Sequence, residues 1–274
     1  MPKPFKRAIL ASNSPELWRM SDGMLSMNTA GRAAVFAQPF TLVKRAISRR
    51  LSPRTKKLIK TFLILDVTDA AQSSYINLFA TPLIMHVLED GPELNTLLQD
   101  RIMAHAAKSP GVVKSNYGGW HSETGQLDFC GSAGQRLIRH VLAVADEATK
   151  RLQEEHGQQP GAVKWRLEAW ANVNRNGEFN KVHVHSGSTW SGTYYVNAGD
   201  PTDPDSGTLL HLTDPCQGRS TTFLPDLNRS EIYINPRPGL IVLFPSYVPH
   251  MVFPHSGHGA RISIAFNLRR EPFP

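Results

Sequence analysis

The sequence is poor in three features that would each suggest a class of protein. Only two of its 274 residues are cysteine. Cys130 and Cys216 are too few for a disulfide framework, and neither belongs to a Cys-x-x-Cys pair of the kind that binds zinc. No apolar run approaches the length of about 18 residues that a membrane span needs, since the longest candidate covers only 61–67. Acidic residues are nearly missing from the first sixty positions.

That scarcity of acids makes the charge of the chain uneven. Residues 1–60 contain thirteen Lys or Arg but only Glu16 and Asp22, an excess of +11, although the whole chain carries +7. The remaining residues therefore carry −4, which weighs against a nucleic-acid-binding body. We interpret residues 1–58 as a basic extension, either an organellar transit peptide or an arm without a targeting role. A transit peptide would place the protein in a plastid or mitochondrion, and otherwise we expect it in the cytoplasm.

The composition changes near residue 59, where we expect a folded domain, 59–274, to begin. With 41% apolar residues in the chain, the domain can bury a sizeable core. Apolar spacing close to 3.6 residues predicts two helices, at 92–103 and 133–155. Apolar runs and alternating patterns predict strands at 61–67, 76–87, 163–173, 182–185, 188–197, 207–212, 232–234, 239–244 and 261–268. We therefore predict an α+β, mainly β, domain in which N-terminal helices buttress a sandwich or barrel.

The most informative stretch is His183-Val184-His185. If it is a strand, both imidazoles lie on the same face because side-chain direction repeats every two residues. Histidine is the commonest metal ligand, so two rings in one space suggest a metal site. Structural or solvated histidines are the alternative.

Two features near the end of the chain strengthen this interpretation. His250 follows the apolar run 240–245. The last predicted strand then alternates Ile262, Ile264 and Phe266 with a second face that carries Arg261 and Ser263. A buried guanidinium needs an anionic partner, and Arg suits a carboxylate.

These motifs resemble those of the iron(II)- and 2-oxoglutarate-dependent oxygenases. Within that superfamily the chain is similar to a little-characterised group with a loop like Ser115-Asn116-Tyr117-Gly118-Gly119-Trp120-His121-Ser122, then a His-x-His stretch followed by Ser-Gly and Tyr-Tyr, and an ending with His, Arg-x-Ser and Asn. The resemblance covers about 77–270. It implies a double-stranded β-helix, or jelly roll, whose lumen holds the metal.

The resemblance also implies a role for individual residues. His183 matches the first histidine of the superfamily's metal-binding pair, and His250 matches the distal histidine. Arg261 and Ser263 match the Arg-x-Ser pair that binds the far carboxylate of 2-oxoglutarate, and Tyr195 stands where a tyrosine often assists. The implied cofactors are Fe(II), 2-oxoglutarate and O2.

The chain departs from the superfamily at His185, where a carboxylate normally stands. Three ligand sets are open: His185 itself completes the site, Asp214 supplies a carboxylate, or a water or anion fills the position. We favour His185. Three imidazoles suit Fe(II), but they also suit zinc or copper.

The function implied by the resemblance is hydroxylation of a small molecule or peptide side chain, with release of succinate and CO2. One alternative is a cupin-type dioxygenase with three histidines that uses no 2-oxoglutarate, and another is a non-catalytic jelly roll that binds a ligand.

For several other side chains the sequence leaves two interpretations open. Trp120, Trp190 and Tyr194 are either walls of the site or core, His121 is either at the substrate mouth or bonded locally, and Asn172, Asn174 and Asn180 either face the lumen or cap turns. We expect His255 and His258 to be exposed.

Overall fold

The computed structural model of the protein describes residues 80–200, 208–216 and 230–271. The predicted extension 1–58, the predicted strand 61–67 and the start of the predicted domain 59–274 lie outside these residues. Of the predicted strand 76–87, the described part forms a strand only from Ile84 to Val87. None of the helices in the described part of the chain combines the length and apolar character that a bilayer crossing requires.

Both predicted helices are found, with wider bounds. They are α1, Gly91–Ala106, and α2, Gly131–Glu155, which follows a single 3₁₀ turn at Asp128–Cys130. Pro92 lies in the first turn of α1, where its missing N–H costs no helical hydrogen bond. In each helix the buried side chains lie on one face, as the apolar spacing predicts.

The same described ranges contain eleven strands. They are β1 Ile84–Val87, β2 Asn116–Tyr117, β3 Trp120–His121, β4 Trp165–Asn174, β5 Phe179–His183, β6 Trp190–Asn197, β7 Leu210–Thr213, β8 Glu231–Ile234, β9 Leu240–Pro245, β10 His250–Val252 and β11 Arg261–Arg270. Sequence patterns predicted most of these but missed β2, β3 and β10, which are only two or three residues long. Such short strands show too little alternation to be recognised.

The strands form two antiparallel sheets. The larger sheet has the order β1-β9-β6-β11-β4-β3, and the smaller has the order β2-β5-β10-β7-β8. From β4 to β11 the chain alternates between the sheets, except for the β7–β8 hairpin, which stays in the smaller one. This is the connectivity of a double-stranded β-helix, so the predicted jelly roll is confirmed.

The two helices cover the outer face of the larger sheet. Leu94 and Leu98 of α1 and Leu137 of α2 share one apolar cluster with Ile264 and Phe266 of β11. This is the apolar face of β11 that the alternation predicted. The helices therefore buttress the sheet from the side opposite the lumen.

Hydrogen bonds fix β6 to both helices. The Tyr194 hydroxyl donates to Asn95 Oδ1 of α1 at 2.7 Å, and Trp190 Nε1 donates to Thr149 Oγ1 of α2 at 2.9 Å. Both aromatic rings are buried in the core, so neither Trp190 nor Tyr194 is a wall of the site. Their partners satisfy the only polar group of each ring, which a buried aromatic requires.

Gly192 of β6 lies between the neighbouring strands β9 and β11, which leave no room for a side chain at this position. A Cβ at this position would lie 2.6 Å from Phe266 Cζ and would also meet the carbonyl oxygen of Val242. Close packing of this kind tolerates little added volume. Glycine here is therefore a requirement of the sheet.

We predict that Gly192→Ala lowers the free energy of unfolding by about 1–3 kcal/mol, since the methyl group must displace Phe266 or the strand. Urea unfolding followed by circular dichroism measures the change. Gly125→Ala is the control, because nothing lies within 4 Å of its added Cβ. Equal midpoints for the two variants would contradict the packing account.

Candidate metal and co-substrate site

Three histidines meet in the lumen between the sheets. His183 ends β5, His185 follows in the next loop, and His250 begins β10. The ring centroids are 4.8 Å apart for His183 and His185, 4.3 Å for His183 and His250, and 5.1 Å for His185 and His250. One nitrogen from each ring lies within 4.8 Å of the others, which is close enough for all three to bind one ion.

The strand predicted for His183 and His185 ends earlier than expected. His185 lies outside β5, where its backbone N–H donates to the carbonyl of Ser246 at 3.0 Å. The pairing of β5 with β10 is also irregular, since His250 pairs with His183 but Val252 pairs with Asn180. β5 thus holds one residue more than β10 in this interval, which is a β-bulge. The bulge lets both Asn180 and His183 line the lumen.

Backbone carbonyls orient two of the three rings. His183 Nδ1 lies 2.7 Å from the carbonyl oxygen of Lys181, and His250 Nδ1 lies 2.9 Å from that of Val248. A carbonyl oxygen only accepts, so each Nδ1 carries the proton and each Nε2 keeps a free lone pair. A hydrogen bond of this kind fixes the tautomer of a metal-binding histidine.

Burial keeps the three rings neutral. It lowers the pKa of His185 to about 4, and the neighbouring His183 adds to the effect. It lowers the pKa of His250 to about 3, where both other histidines contribute. The pKa of His183 is also lowered by burial, against the opposing effect of its hydrogen bond to Lys181. At neutral pH the protein therefore presents three neutral imidazoles.

A buried cation lies on the opposite side of the same cavity. Arg261 is 1% exposed, and its Nη1 donates to Ser263 Oγ at 3.2 Å. In the described part of the chain, its Nε has no hydrogen-bond partner and Arg261 belongs to none of the ion pairs. Burial lowers the pKa of this guanidinium, but arginine stays charged at neutral pH. An anionic ligand would satisfy this group.

Tyr195 lies beside this guanidinium, as the sequence predicted. The Arg261 Cζ is 5.3 Å from the centre of the Tyr195 ring. The ring is fully buried, and the Arg261 guanidinium is the charged group that acts on its hydroxyl. Burial raises the pKa of Tyr195, so the hydroxyl is protonated and can donate to an anion.

Asp214, the candidate carboxylate, does not join the histidines. Its Oδ1 accepts a hydrogen bond from the backbone N–H of Cys216 at 2.9 Å, and it does not line the cavity. Among the described residues, the group able to hold a metal consists of His183, His185 and His250. We predict that these three histidines bind a metal and that Arg261, Ser263 and Tyr195 bind 2-oxoglutarate. The geometry is consistent with this prediction.

The aromatic wall of the cavity comes from a residue other than the three candidates of the sequence analysis. Trp120 points elsewhere, since its Nε1 donates to the carbonyl of Ser109 at 3.0 Å. Trp170 of β4 lines the cavity instead, 5.6 Å from His185 between ring centroids. Asn172 and Asn180 also line it, which selects the lumen over the turn-capping alternative. The period-2 pattern of β4, which places Trp170 and Asn172 on one face, was the signal that could have identified this wall.

Two other histidines need comment. His121 is buried, with Nδ1 2.5 Å from the carbonyl of Ser122, and it stacks on Trp170, so the local interpretation holds. His255 was expected to be exposed, but it is 1% exposed and its Nε2 lies 2.8 Å from the carbonyl of Gly259. That expectation was wrong because the glycine-rich turn folds over its own histidine. His258 is exposed, as expected.

Comparison with known proteins connects this geometry to a family. Residues 168–267 match the model of the protein family described as "Putative 2OG-Fe(II) oxygenase". The resemblance to the iron(II)/2-oxoglutarate oxygenases is confirmed. The match implies Fe(II), 2-oxoglutarate and O2 as cofactors, and it begins within β4 and ends within β11, so it includes every residue predicted to bind them.

Several solved structures are similar at low identity. A prolyl-4-hydroxylase from Pseudomonas putida is 19% identical, covers 69% of this chain and 93% of its own, and has a TM-score of 0.44. A prolyl hydroxylase from Trichoplax adhaerens, solved with a hypoxia inducible factor peptide fragment, is 15% identical over 68% and 83%, with a TM-score of 0.47. HygX from Streptomyces hygroscopicus, solved with nickel and 2-oxoglutarate, is 12% identical over 70% and 84%, with a TM-score of 0.46. A comparison with curated proteins finds no match. The fold assignment rests on the strand order of this chain.

The lowered pKa values predict acid sensitivity of the metal-free protein. The unfolded chain binds a proton at each histidine below its ordinary pKa of 6.5, whereas folded His185 and His250 stay neutral until about pH 4 and 3. The unfolded state therefore binds more protons in this window, so stability falls as the pH falls from about 6.5 toward 4.

Urea midpoints measured in the presence of a chelator across this range test the prediction. The loss should be smaller in His250→Asn, which removes one titrating group, than in the wild type. His86→Asn changes an exposed histidine of β1 and should follow the wild type. Parallel curves for all three proteins would show that the lumen histidines do not cause the acid sensitivity.

Proposed function

We propose that the protein is an Fe(II)- and 2-oxoglutarate-dependent dioxygenase that hydroxylates a C–H bond of a small molecule or a peptide side chain. The observation that carries the proposal is the pairing, in one lumen, of three neutral imidazoles with a buried guanidinium that pairs with no carboxylate of the described residues. An iron site needs the imidazoles, and a dicarboxylate co-substrate needs the guanidinium.

The residues fit this pair of ligands chemically. Nitrogen donors suit Fe(II), and His183, His185 and His250 come from one side of the cavity, which leaves the other side for co-substrate and O2. Bound Fe(II), 2-oxoglutarate and O2 supply the oxidising power that converts R–H to R–OH, with 2-oxoglutarate leaving as succinate and CO2. The role of the protein is to position these groups and to exclude water.

The register of β11 with β4 and β6 determines which side chains surround the proposed co-substrate position. Ser263 pairs with Asn172 of β4 on one side and with Tyr195 of β6 on the other. Neighbours in register project to the same face of a sheet, so Ser263 and Tyr195 flank the far carboxylate that Arg261 binds. Arg261 neutralises this carboxylate, while the hydroxyl groups of Ser263 and Tyr195 donate to its oxygens.

A cupin-type dioxygenase that uses three histidines and no 2-oxoglutarate is the second candidate, because the histidine cluster contains no carboxylate. The role of Arg261 distinguishes the two functions. A cupin-type reaction gives the buried guanidinium nothing to bind, whereas a 2-oxoglutarate enzyme requires it.

Anaerobic titration of the protein with Fe(II) and 2-oxoglutarate tests the proposal. We expect a weak absorption band at about 500 nm that requires both additions, because it arises from the chelate. On exposure to O2, succinate should form. Oxygen uptake that is independent of 2-oxoglutarate would favour the cupin-type function. The lack of both the absorption band and succinate at full iron loading would exclude the proposed 2-oxoglutarate-dependent activity.

Two substitutions should affect different ligands. Arg261→Ala should retain bound metal but raise the 2-oxoglutarate concentration needed for half-saturation by about 100-fold, in line with the loss of a buried charged hydrogen bond. His250→Ala should lose metal, since two imidazoles hold it poorly. Metal analysis after dialysis and equilibrium titration of 2-oxoglutarate give both quantities.

Equal metal loss in the two variants would contradict these separate roles. Arg269→Ala is the matched control. This arginine lies near the other end of β11, is exposed, and donates from Nε to the carbonyl of Gly187 at 2.9 Å. It should change neither metal content nor 2-oxoglutarate binding.

A further inference from the structure

The charges around the cavity are unusually one-sided. Among the described residues that line it, Arg261 is the one that carries a full charge, and none is an aspartate or a glutamate. In the usual site of this superfamily a carboxylate ligand stands where this chain has His185. The described lining of the lumen therefore lacks the anion that would otherwise offset part of the charge of the metal.

The loaded site consequently keeps a positive charge. A divalent metal and Arg261 bring three positive charges, the three imidazoles bring none, and 2-oxoglutarate brings two negative charges. One positive charge remains where a carboxylate ligand would have left the site neutral. In a buried site an unbalanced charge of this kind is costly, and an anion close to it is stabilised strongly.

Unused hydrogen-bonding groups lie on the wall next to the co-substrate pocket. Asn172 and Asn180 are each 6% exposed, and both line the cavity. Among the described residues, Asn172 Oδ1 has no hydrogen-bond partner, and Asn180 Nδ2 reaches only Ser115 Oγ, at 3.5 Å. Because the O and N atoms of an amide are exchanged by a half-turn, Asn172 can present its NH2 group to the lumen.

We infer that the prime substrate carries a carboxylate, which binds beside Asn172 and Asn180 and balances the charge left by His185. This inference rests on the proposed function, because the charge count assumes that both metal and 2-oxoglutarate are bound. Amide and hydroxyl donors from Asn172, Asn180 and Ser115 bind the carboxylate oxygens. Arg261 stays with the co-substrate, so the two carboxylates occupy different parts of the lumen.

Titration calorimetry on the full chain loaded with Ni(II) and saturating 2-oxoglutarate tests the inference without turnover. The probes are acetate, its neutral analogue acetamide, and chloride, at constant ionic strength. Acetate should bind at least about tenfold more tightly than acetamide, because only acetate carries the balancing charge. Equal affinity for the two compounds would overturn the inference, and this comparison needs no variant.

Two variants locate the carboxylate. His185→Asp restores the missing negative charge and should weaken acetate binding by at least about tenfold while retaining metal. Asn172→Ala should weaken acetate binding severalfold but leave chloride binding unchanged, since only a carboxylate needs the amide. His86→Asp places the same new charge on exposed β1 and should match the wild type.

Other outcomes separate the possible failures. If His185→Asp binds acetate as well as the wild type, the charge argument is wrong. If Asn172→Ala does not change the affinity for acetate, the anion binds to the metal alone and the proposed carboxylate subsite does not exist. Failure of the wild type to load Ni(II) and 2-oxoglutarate, which is measured first, would instead count against the proposed function.

Discussion

The lumen of this jelly roll buries a positive charge that no acidic group of the described residues neutralises. The guanidinium of Arg261 lines the cavity, its Nη1 donates to the hydroxyl of Ser263, and its Nε is unpaired among the described residues. A charge in this position costs free energy in the absence of a ligand. The surrounding sheet must hold it there, and the central position of β11 between β4 and β6 is what does so.

The two faces of β11 explain how one strand serves both stability and binding. Ile262, Ile264 and Phe266 pack toward the helices, while Arg261 and Ser263 face the lumen. The helices are thus more than a cover. By burying the apolar face of β11, and by fixing β6 through Asn95 and Thr149, they hold the polar face in place. A displacement of either helix would move the groups that line the cavity.

Much of the fold and part of the site could be predicted from the sequence. The strict alternation in β11 identified both of its faces, and the 3.6-residue spacing identified both helices. Long elements repeat their pattern often enough to be recognised. The His-x-His stretch and the later His and Arg-x-Ser could be connected only by resemblance to a family, because no local pattern shows that residues 183 and 250 meet.

The sequence was misleading where local geometry departs from regular structure. It placed His185 on a strand that in fact ends at His183, although the two rings still meet. It placed His255 in solvent, whereas the turn buries it. For Trp190 it left a wall and a core position open, and the hydrogen bond to Thr149 of α2 selects the core. Each error concerns a tertiary contact that replaced a local preference.

The bulge in β5 has a consequence for how this segment can vary. Asn180 and His183 are three residues apart, an odd spacing that in a regular strand would send them to opposite faces. The additional residue between them reverses this, so the length of the segment fixes the site as firmly as its composition. If the segment paired regularly at its present length, one of the two lumen groups would turn toward solvent. In this part of the chain, a change of register is equivalent to the loss of a ligand.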